Sequence, residues 1–217
     1  PPRSTLFPYT TLFRSSNDDE SMEGFNPHAK KAVLWTKSQL DAEQREWLST
    51  RPMRQTIKNS NITIVHATLD SPESWGYIFD THHAADNFAY QFTQLCFCGH
   101  SHVPIAFCKK PITNASEKPI QEITEWAYKR NEGFVPREPE AMDYITVDIR
   151  PGYKYLINVG SVGQPRNNDP RASFVVYDRD QQKITRYRIP YDIKSQQEKI
   201  RAAGLPERLA LRLESGS

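Results

Sequence analysis

The chain has 217 residues, of which 37% are hydrophobic and 25% charged, a size and balance that suit one globular domain with its own core. A formal net charge of +2 argues against nucleic acid or a membrane surface as partner. No apolar run approaches the length that crosses a bilayer.

The first elements are unusual. Thr5 to Ser15 reads TLFPYTTLFRS, which repeats Thr-Leu-Phe and has neither a helical nor a strand period. It matches the translation of a common short-read sequencing adapter, so residues 1–15 are expected to be artefactual and are set aside from fold reasoning. A charged segment followed by a long apolar one is also missing here, so no secretory signal is expected. Ser16 to Glu23 is polar and acidic and reads as a loop.

Asn26-Pro27 reads as a helix start, an N-cap followed by proline at the first helical position. Ala32, Val33, Trp35 and Leu40 are read as its apolar face. Asp41 with Gln44 three residues later forms a capping-box pattern for a second helix through Leu48, stopped at Arg51-Pro52. Asn61 to His66 is a β-branched strand, and Thr81 to Phe92 a helix. Strands are expected at Leu95–Cys98, Pro104–Cys108, Tyr144–Ile149, Tyr153–Val159, Ser173–Tyr177 and Lys183–Ile189. Pro111 to Glu140 reads as a polar surface excursion with a short helix near Ile120 to Lys129. Ile193 to Ala203 is a helix closed by Gly204, and Leu205-Pro206 opens a last one. The three cysteines, Cys96, Cys98 and Cys108, make no disulfide framework, so a reducing, cytoplasmic setting is expected. The class is mixed α and β.

The chemistry gathers at strand ends. His66 closes one strand, and Gly99-His100-Ser101-His102 follows another. Neutral imidazole is a common ligand for Zn, Mn and Fe. Two histidines one residue apart can reach a metal from one loop, with Gly99 expected to make the sharp turn. An alternative is a non-catalytic zinc or interaction module built on Cys96, Cys98, His100 and His102, which alternate. One extended strand wraps four ligands around an ion poorly, and that spacing argues against the module. Asn158 to Arg166 carries two glycines and ends in a cation. Arg166 can pair with a phosphate, although such a loop is by itself an ordinary strand connection.

GHSH followed by VPIAF, then INVGSVGQPRNNDPRASFVVYD, resembles the C-terminal signature of bacterial calcineurin-like metallophosphoesterases. The similarity is to the branch termed diadenosine-tetraphosphatase-like or phosphodiesterase-like. ESMEGFNPHAKKAVLWT, IVHATLDSPESWGYIFD and PYDIKSQQEKIRAAGLPERLA resemble it too, from about Ser16 to Leu213. The resemblance implies a four-layer β-sandwich flanked by helices. It also implies two divalent metal ions that activate a bridging hydroxide for hydrolysis of phosphate mono- or diesters. The family's ligands come from Asp-x-His, Gly-Asp, Gly-Asn-His, an isolated His and Gly-His-x-His. By that resemblance His66 and His100 hold one metal and His102 the other. Which of Mn, Fe or Zn they hold stays open. Arg166 is a substrate-binding candidate, and a nucleotide, another small phosphorylated compound or a phosphoprotein is the expected partner.

The first three family elements are read as missing. Residues 16–217 are therefore expected to be the C-terminal portion of one phosphoesterase domain without its N-terminal strands and helices. No catalytic residue is assigned, and this chain is expected to be nearly inactive, whereas its parent is an enzyme.

Overall fold

The computed structural model describes residues 27–112, 118–124, 126 and 141–217. The adapter-like residues 1–15, the loop at 16–23, the Asn26 cap and most of the excursion after Pro111 lie outside the described residues. The chain divides into two compact units, one holding the residues up to Met53 with Asp192–Glu214, the other Arg54–Tyr191 with Ser215–Ser217.

The described residues of the first unit are mostly helical. Helix α1 (Pro27–Gln39) starts on the proline as expected, but only Val33 of its proposed apolar face is buried. Trp35 stays 37% exposed. At about 100° per residue it sits on the opposite side of the helix from Val33, so the buried face is narrower than the expected one. Helix α2 (Ala42–Ser49) has the predicted capping box. The Asp41 carboxylate accepts from Gln44 N at 2.8 Å and the Gln44 amide oxygen accepts from Asp41 N at 3.1 Å, which satisfies two helix-end donors at once.

The second unit is built on two sheets. The larger has six strands in the order β1 (Arg54–Ile57), β2 (Ile62–Val65), β3 (Leu95–Cys98), β7 (Lys154–Asn158), β4 (Ile105–Lys109) and β5 (Ile120–Glu122). The smaller is an antiparallel trio with β9 (Lys183–Ile189) between β6 (Asp143–Asp148) and β8 (Ala172–Asp178). Side-chain alternation divides the large sheet's contacts. Leu95, Ala106, Tyr155 and Ile157 pack with Ile184 and Val147 of the small sheet. Cys96, Cys98, Phe107 and Leu156 pack instead with Ala84 and Phe88 of helix α3 (Thr81–Tyr90). Period-2 strands with apolar residues on both faces are what a sheet covered on both sides requires. Helix, large sheet and small sheet thus form three stacked layers of the expected sandwich in this unit.

Two strands escaped the sequence reading. All four residues of β1 are exposed, so it lacks an apolar signal. It is formed by antiparallel pairing with β2 through a turn whose Asn59 and Asn61 take left-handed angles. The helix expected near Ile120 is corrected: Ile120–Glu122 pairs with Phe107–Lys109 as an edge strand. Backbone pairing outside the segment overrode its weak helical pattern.

The chain then returns to the helical unit. Helix α4 (Ile193–Ala202) is capped by Asp192, whose carboxylate accepts from Ser195 N. It closes at Gly204 with φ of 66°, the left-handed cap that glycine adopts without strain. Helix α5 (Glu207–Ser215) docks on it through buried Gln197, whose amide donates to Ala210 O and to the Glu214 carboxylate. Among the described residues no helix is long and apolar enough to cross a membrane.

Candidate metal centre

Three parallel neighbours, β2, β3 and β7, end at the same edge of the large sheet, and their following loops carry the candidate residues. Backbone bonds lace these loops together. Gly99 N donates to His66 O and Val159 N donates to Cys98 O, each at 3.0 Å. Buried Asn158 adds a side-chain brace, donating to Gly99 O at 2.5 Å and to Ser101 Oγ at 2.9 Å. Its amide oxygen accepts from Gly160 N. Sequence reading passed over Asn158, although an amide ending a buried strand is a recognisable bracing position.

The turn after β3 differs from expectation. Gly99 does not take the left-handed conformation; His100 and His102 do, with φ of 65° and 58°. Such angles are uncommon outside glycine. They cost of order 1 kcal/mol each or more and persist only where surrounding contacts over-determine them. Their consequence is that β3 ends at Cys98 and both rings leave the strand's faces.

His66 is 5% exposed, and its Nε2 lies 3.2 Å from His100 Nδ1. Its Nδ1 is buried with no hydrogen-bond partner. His100 turns its other nitrogen, Nε2, to Trp75 O at 3.1 Å. His102 places Nδ1 at 2.6 Å from Gln164 O. A carbonyl oxygen only accepts, so Nε2 of His100 and Nδ1 of His102 carry the protons. The remaining lone pairs are on Nδ1 of His100 and Nε2 of His102. Burial, then the nearby His100 and His102, push the His66 pKa down to about 4. Burial also lowers that of His100, with the Arg166 charge adding to the effect. Both rings are therefore neutral at pH 7, the form that ligates metal.

The structure brings His66 and His100 together. His102 joins through the same loop, but among the described residues no three His, Cys, Asp or Glu side chains converge as a ready ion site. Arg166 is exposed; its backbone N donates to His102 O at 3.2 Å, so it leaves the same turn as the Gln164 carbonyl. That turn is shaped by Ser161 Oγ, which accepts from the N–H groups of Gly163 and Gln164. Gly160 has φ of 83° and a Cβ there would lie 2.7 Å from Ser173 Oγ, so glycine is required by both angle and space.

A buried ion-pair network holds the far end of this loop, and the sequence reading did not single it out. Asp169 is 0% exposed. It accepts from Arg171 Nε and Nη2 at 2.9 and 2.8 Å and from Arg188. Those guanidinium partners outweigh burial and hold its carboxyl below the usual range. Arg171 also reaches Asp143 at 2.9 Å. The motif signal was Asn-Asn-Asp-Pro-Arg itself, a carboxylate and a guanidinium two residues apart.

Two further corrections concern ligands. One Asp-x-His does occur, Asp80-Thr81-His82, contrary to the reading that none exists. It is the N-cap of α3: the Asp80 carboxylate accepts from His82 N and His83 N at 2.9 Å, and the whole group is exposed. Its carboxylate is used by the helix end. Cys96 and Cys98 lie inside the apolar cluster under α3. Burial pushes the Cys98 thiol up to about 12 and raises Cys96 well above its ordinary value.

No family model matches the sequence. The chain is 34% identical over 196 residues to an uncharacterized protein of Methanocaldococcus jannaschii, covering 89% of this chain and 68% of that protein. Its structure matches a crystal structure of a metallophosphoesterase from Sphaerobacter thermophilus with a TM-score of 0.71 and 33% identity, over 96% of this chain and 75% of that one. The chain belongs to the metallophosphoesterase family. A hypothetical protein of Pyrococcus horikoshii OT3, 17% identical with a TM-score of 0.65 over 96% of this chain and 71% of that one, shares the fold.

For a metallophosphoesterase the first test is whether the residues fit a divalent ion. Two imidazole nitrogens each about 2.0–2.1 Å from one ion lie roughly 2.9–3.4 Å apart at octahedral or tetrahedral angles. The His66–His100 separation of 3.2 Å falls inside that span. Both rings are neutral, and His100 has its proton on the nitrogen turned away from the pair. The separation fits one ion held by two of its ligands, with the His66 proton then on the buried Nδ1, which has no acceptor.

Proposed function

We propose that the chain carries part of the binuclear centre of a metal-dependent phosphate mono- or diesterase. The single observation that carries this reading is the His66 Nε2–His100 Nδ1 pair at 3.2 Å at the edge of the parallel strands. His66 and His100 would hold one ion, and His102, through Nε2, the other. Bound divalent cations would polarise phosphoryl oxygens and activate water for attack, with Mn, Fe and Zn all compatible with imidazole. The chain's own residues supply orientation. Gln164 O would fix the His102 tautomer, Asn158 holds the His100 loop against β7, and Arg166 would take a negative phosphoryl oxygen of the substrate.

The substrate class we favour is small: a nucleotide, another phosphorylated compound or a phosphorylated protein segment. The bacterial diadenosine-tetraphosphatase-like branch, a cytoplasmic setting and the assignment of 16–217 to the C-terminal portion of one phosphoesterase domain belong to the same proposal. Neither Gly-Asp nor Gly-Asn-His occurs in the sequence, and Asp80-Thr81-His82 is spent on a helix cap. Three histidines shared between two ions make an incomplete set, so this chain alone is expected to bind metal weakly and turn over slowly. The alternative zinc module is disfavoured because Cys96 and Cys98 point into the core while the histidines leave the strand.

The test is hydrolysis of a chromogenic phosphodiester with added Mn²⁺, for the chain and for His100→Ala. Slow turnover that disappears in His100→Ala is expected. Turnover untouched by His100→Ala overturns the site. Fast turnover abolished by it overturns the claim that the ligand set is incomplete. Stoichiometric zinc held through thiolates would favour the module.

A further inference from the structure

The segment between β2 and α3 contains an aromatic turn, Trp75-Gly76-Tyr77, for which the proposed reaction has no direct use. Trp75 has φ of 57°, which for a bulky residue is a genuine outlier. That angle aims its carbonyl at His100 Nε2, 3.1 Å away. Its ring meets the His66 ring edge-on at 5.3 Å and the His100 ring, tilted, at 5.6 Å. Tyr77 lies on the His100 ring at 4.6 Å and 28°, and continues onto Phe79 at 5.3 Å and 8°. Between them Ile78 points into the core, 3% exposed.

The turn is anchored rather than loose. A Cβ on Gly76 would lie 3.0 Å from Thr68 Cγ2, so the backbone is pressed against the stretch just past His66. Thr68 Oγ1 donates to Ser71 O at 3.3 Å and Leu69 N to the Asn87 side chain at 2.7 Å. One short turn therefore touches both rings of the pair. It also supplies the acceptor that decides which His100 nitrogen is protonated. A strained backbone angle held in place by tertiary contacts marks a position worth a functional hypothesis.

We propose that Trp75 and Tyr77 are positioning residues for the His66–His100 pair: the Trp75 carbonyl selects the Nε2–H tautomer of His100, and the Tyr77 ring fixes its plane so that Nδ1 faces His66. The proposal rests on reading that pair as a metal site. Partners that set the tautomer and ring orientation of a ligand histidine change metal affinity by about 10–100-fold when removed.

The test uses the whole chain and Co²⁺ as probe, with two readouts. Long-range ¹H–¹⁵N spectra of the imidazoles in metal-free protein report the His100 tautomer. Titration with Co²⁺, read by its visible absorption, reports affinity. Trp75→Val disfavours the left-handed angle, whereas Trp75→Gly permits it. Tyr77→Leu removes the stack, whereas Tyr77→Phe keeps it. Expected are an Nε2–H tautomer in the unaltered chain, and mixed tautomers with about tenfold or greater loss of Co²⁺ affinity in Trp75→Val and Tyr77→Leu. Tyr77→Phe should keep the affinity, and Trp75→Gly should lose less than Trp75→Val. Folded Trp75→Val and Tyr77→Leu proteins with unchanged tautomer and affinity would overturn the positioning role while leaving the metal pair intact. Co²⁺ binding no tighter in the unaltered chain than in His100→Ala would overturn the metal pair, and the positioning role with it.

Discussion

Acid should destabilise the metal-free protein through His66, by an amount the structure sets. Its pKa falls from 6.5 to about 4 on folding, because the ring is buried beside His100 and His102. The unfolded chain therefore binds this proton more readily than the folded one, so protonation favours unfolding. The stability is complete above pH 6.5 and is lost as pH falls toward 4. At 1.36 kcal/mol per pKa unit the full loss is about 3 kcal/mol, of which about 2 kcal/mol has gone by pH 5. The lowered pKa of His100 acts in the same direction. Asp169, held below the usual carboxylate range, loses its contribution only at lower pH. The assay is urea unfolding at steps from pH 7.5 to 4.5 with a chelator present, for the unaltered chain and for His66→Gln. The unaltered chain should lose about 2 kcal/mol between pH 7 and 5, and His66→Gln less than half of that. Parallel pH profiles for the two proteins would refute the buried, neutral His66.

Asp169→Asn leaves two arginines facing a neutral side chain in the interior and should cost about 3–5 kcal/mol in chemical denaturation. Asp143→Asn, at the 48% exposed end of the same network, should cost less than about 1 kcal/mol. Gly160→Ala should destabilise by about 2 kcal/mol or more, from the left-handed angle and the clash with Ser173. Gly163→Ala, with nothing within 4 Å of its Cβ position, should melt within a few degrees of the unaltered chain. Half-buried Cys108 should react with a thiol reagent in the native state well before Cys96 and Cys98. Equal reactivity of all three would contradict the placement of the β3 thiols in the core.

Residue patterns alone placed most elements of the sheets and helices. NITIVH, LCFC and the five later predicted strands carry short runs of apolar or β-branched residues. The Asp41–Gln44 box, Gly204 and Pro27 are local signals whose physics is complete within a few residues. They read correctly because the groups that decide them are neighbours in sequence. The elements that failed to read, β1 and β5, owe their state to backbone pairing with another strand, and nothing in four exposed or three ordinary residues announces that partner.

The same division runs through the site. His66, His100 and His102 were legible as metal-ligand candidates, because imidazoles at strand ends and a Gly-His-x-His motif are one-dimensional features. Which histidines meet, which nitrogen each presents, and that the turn is made by the histidines rather than by Gly99 were decided by the tertiary structure. So were the roles of Trp75, Asn158 and the Asp169–Arg171–Arg188 network. The first two depend on atoms brought together across tens of residues around the parallel strands β2, β3 and β7, and the network on β9 carrying Arg188 to the loop before β8. Local sequence sets backbone angles and periodicity, whereas the direction of a lone pair is set by whichever acceptor the fold places beside the ring.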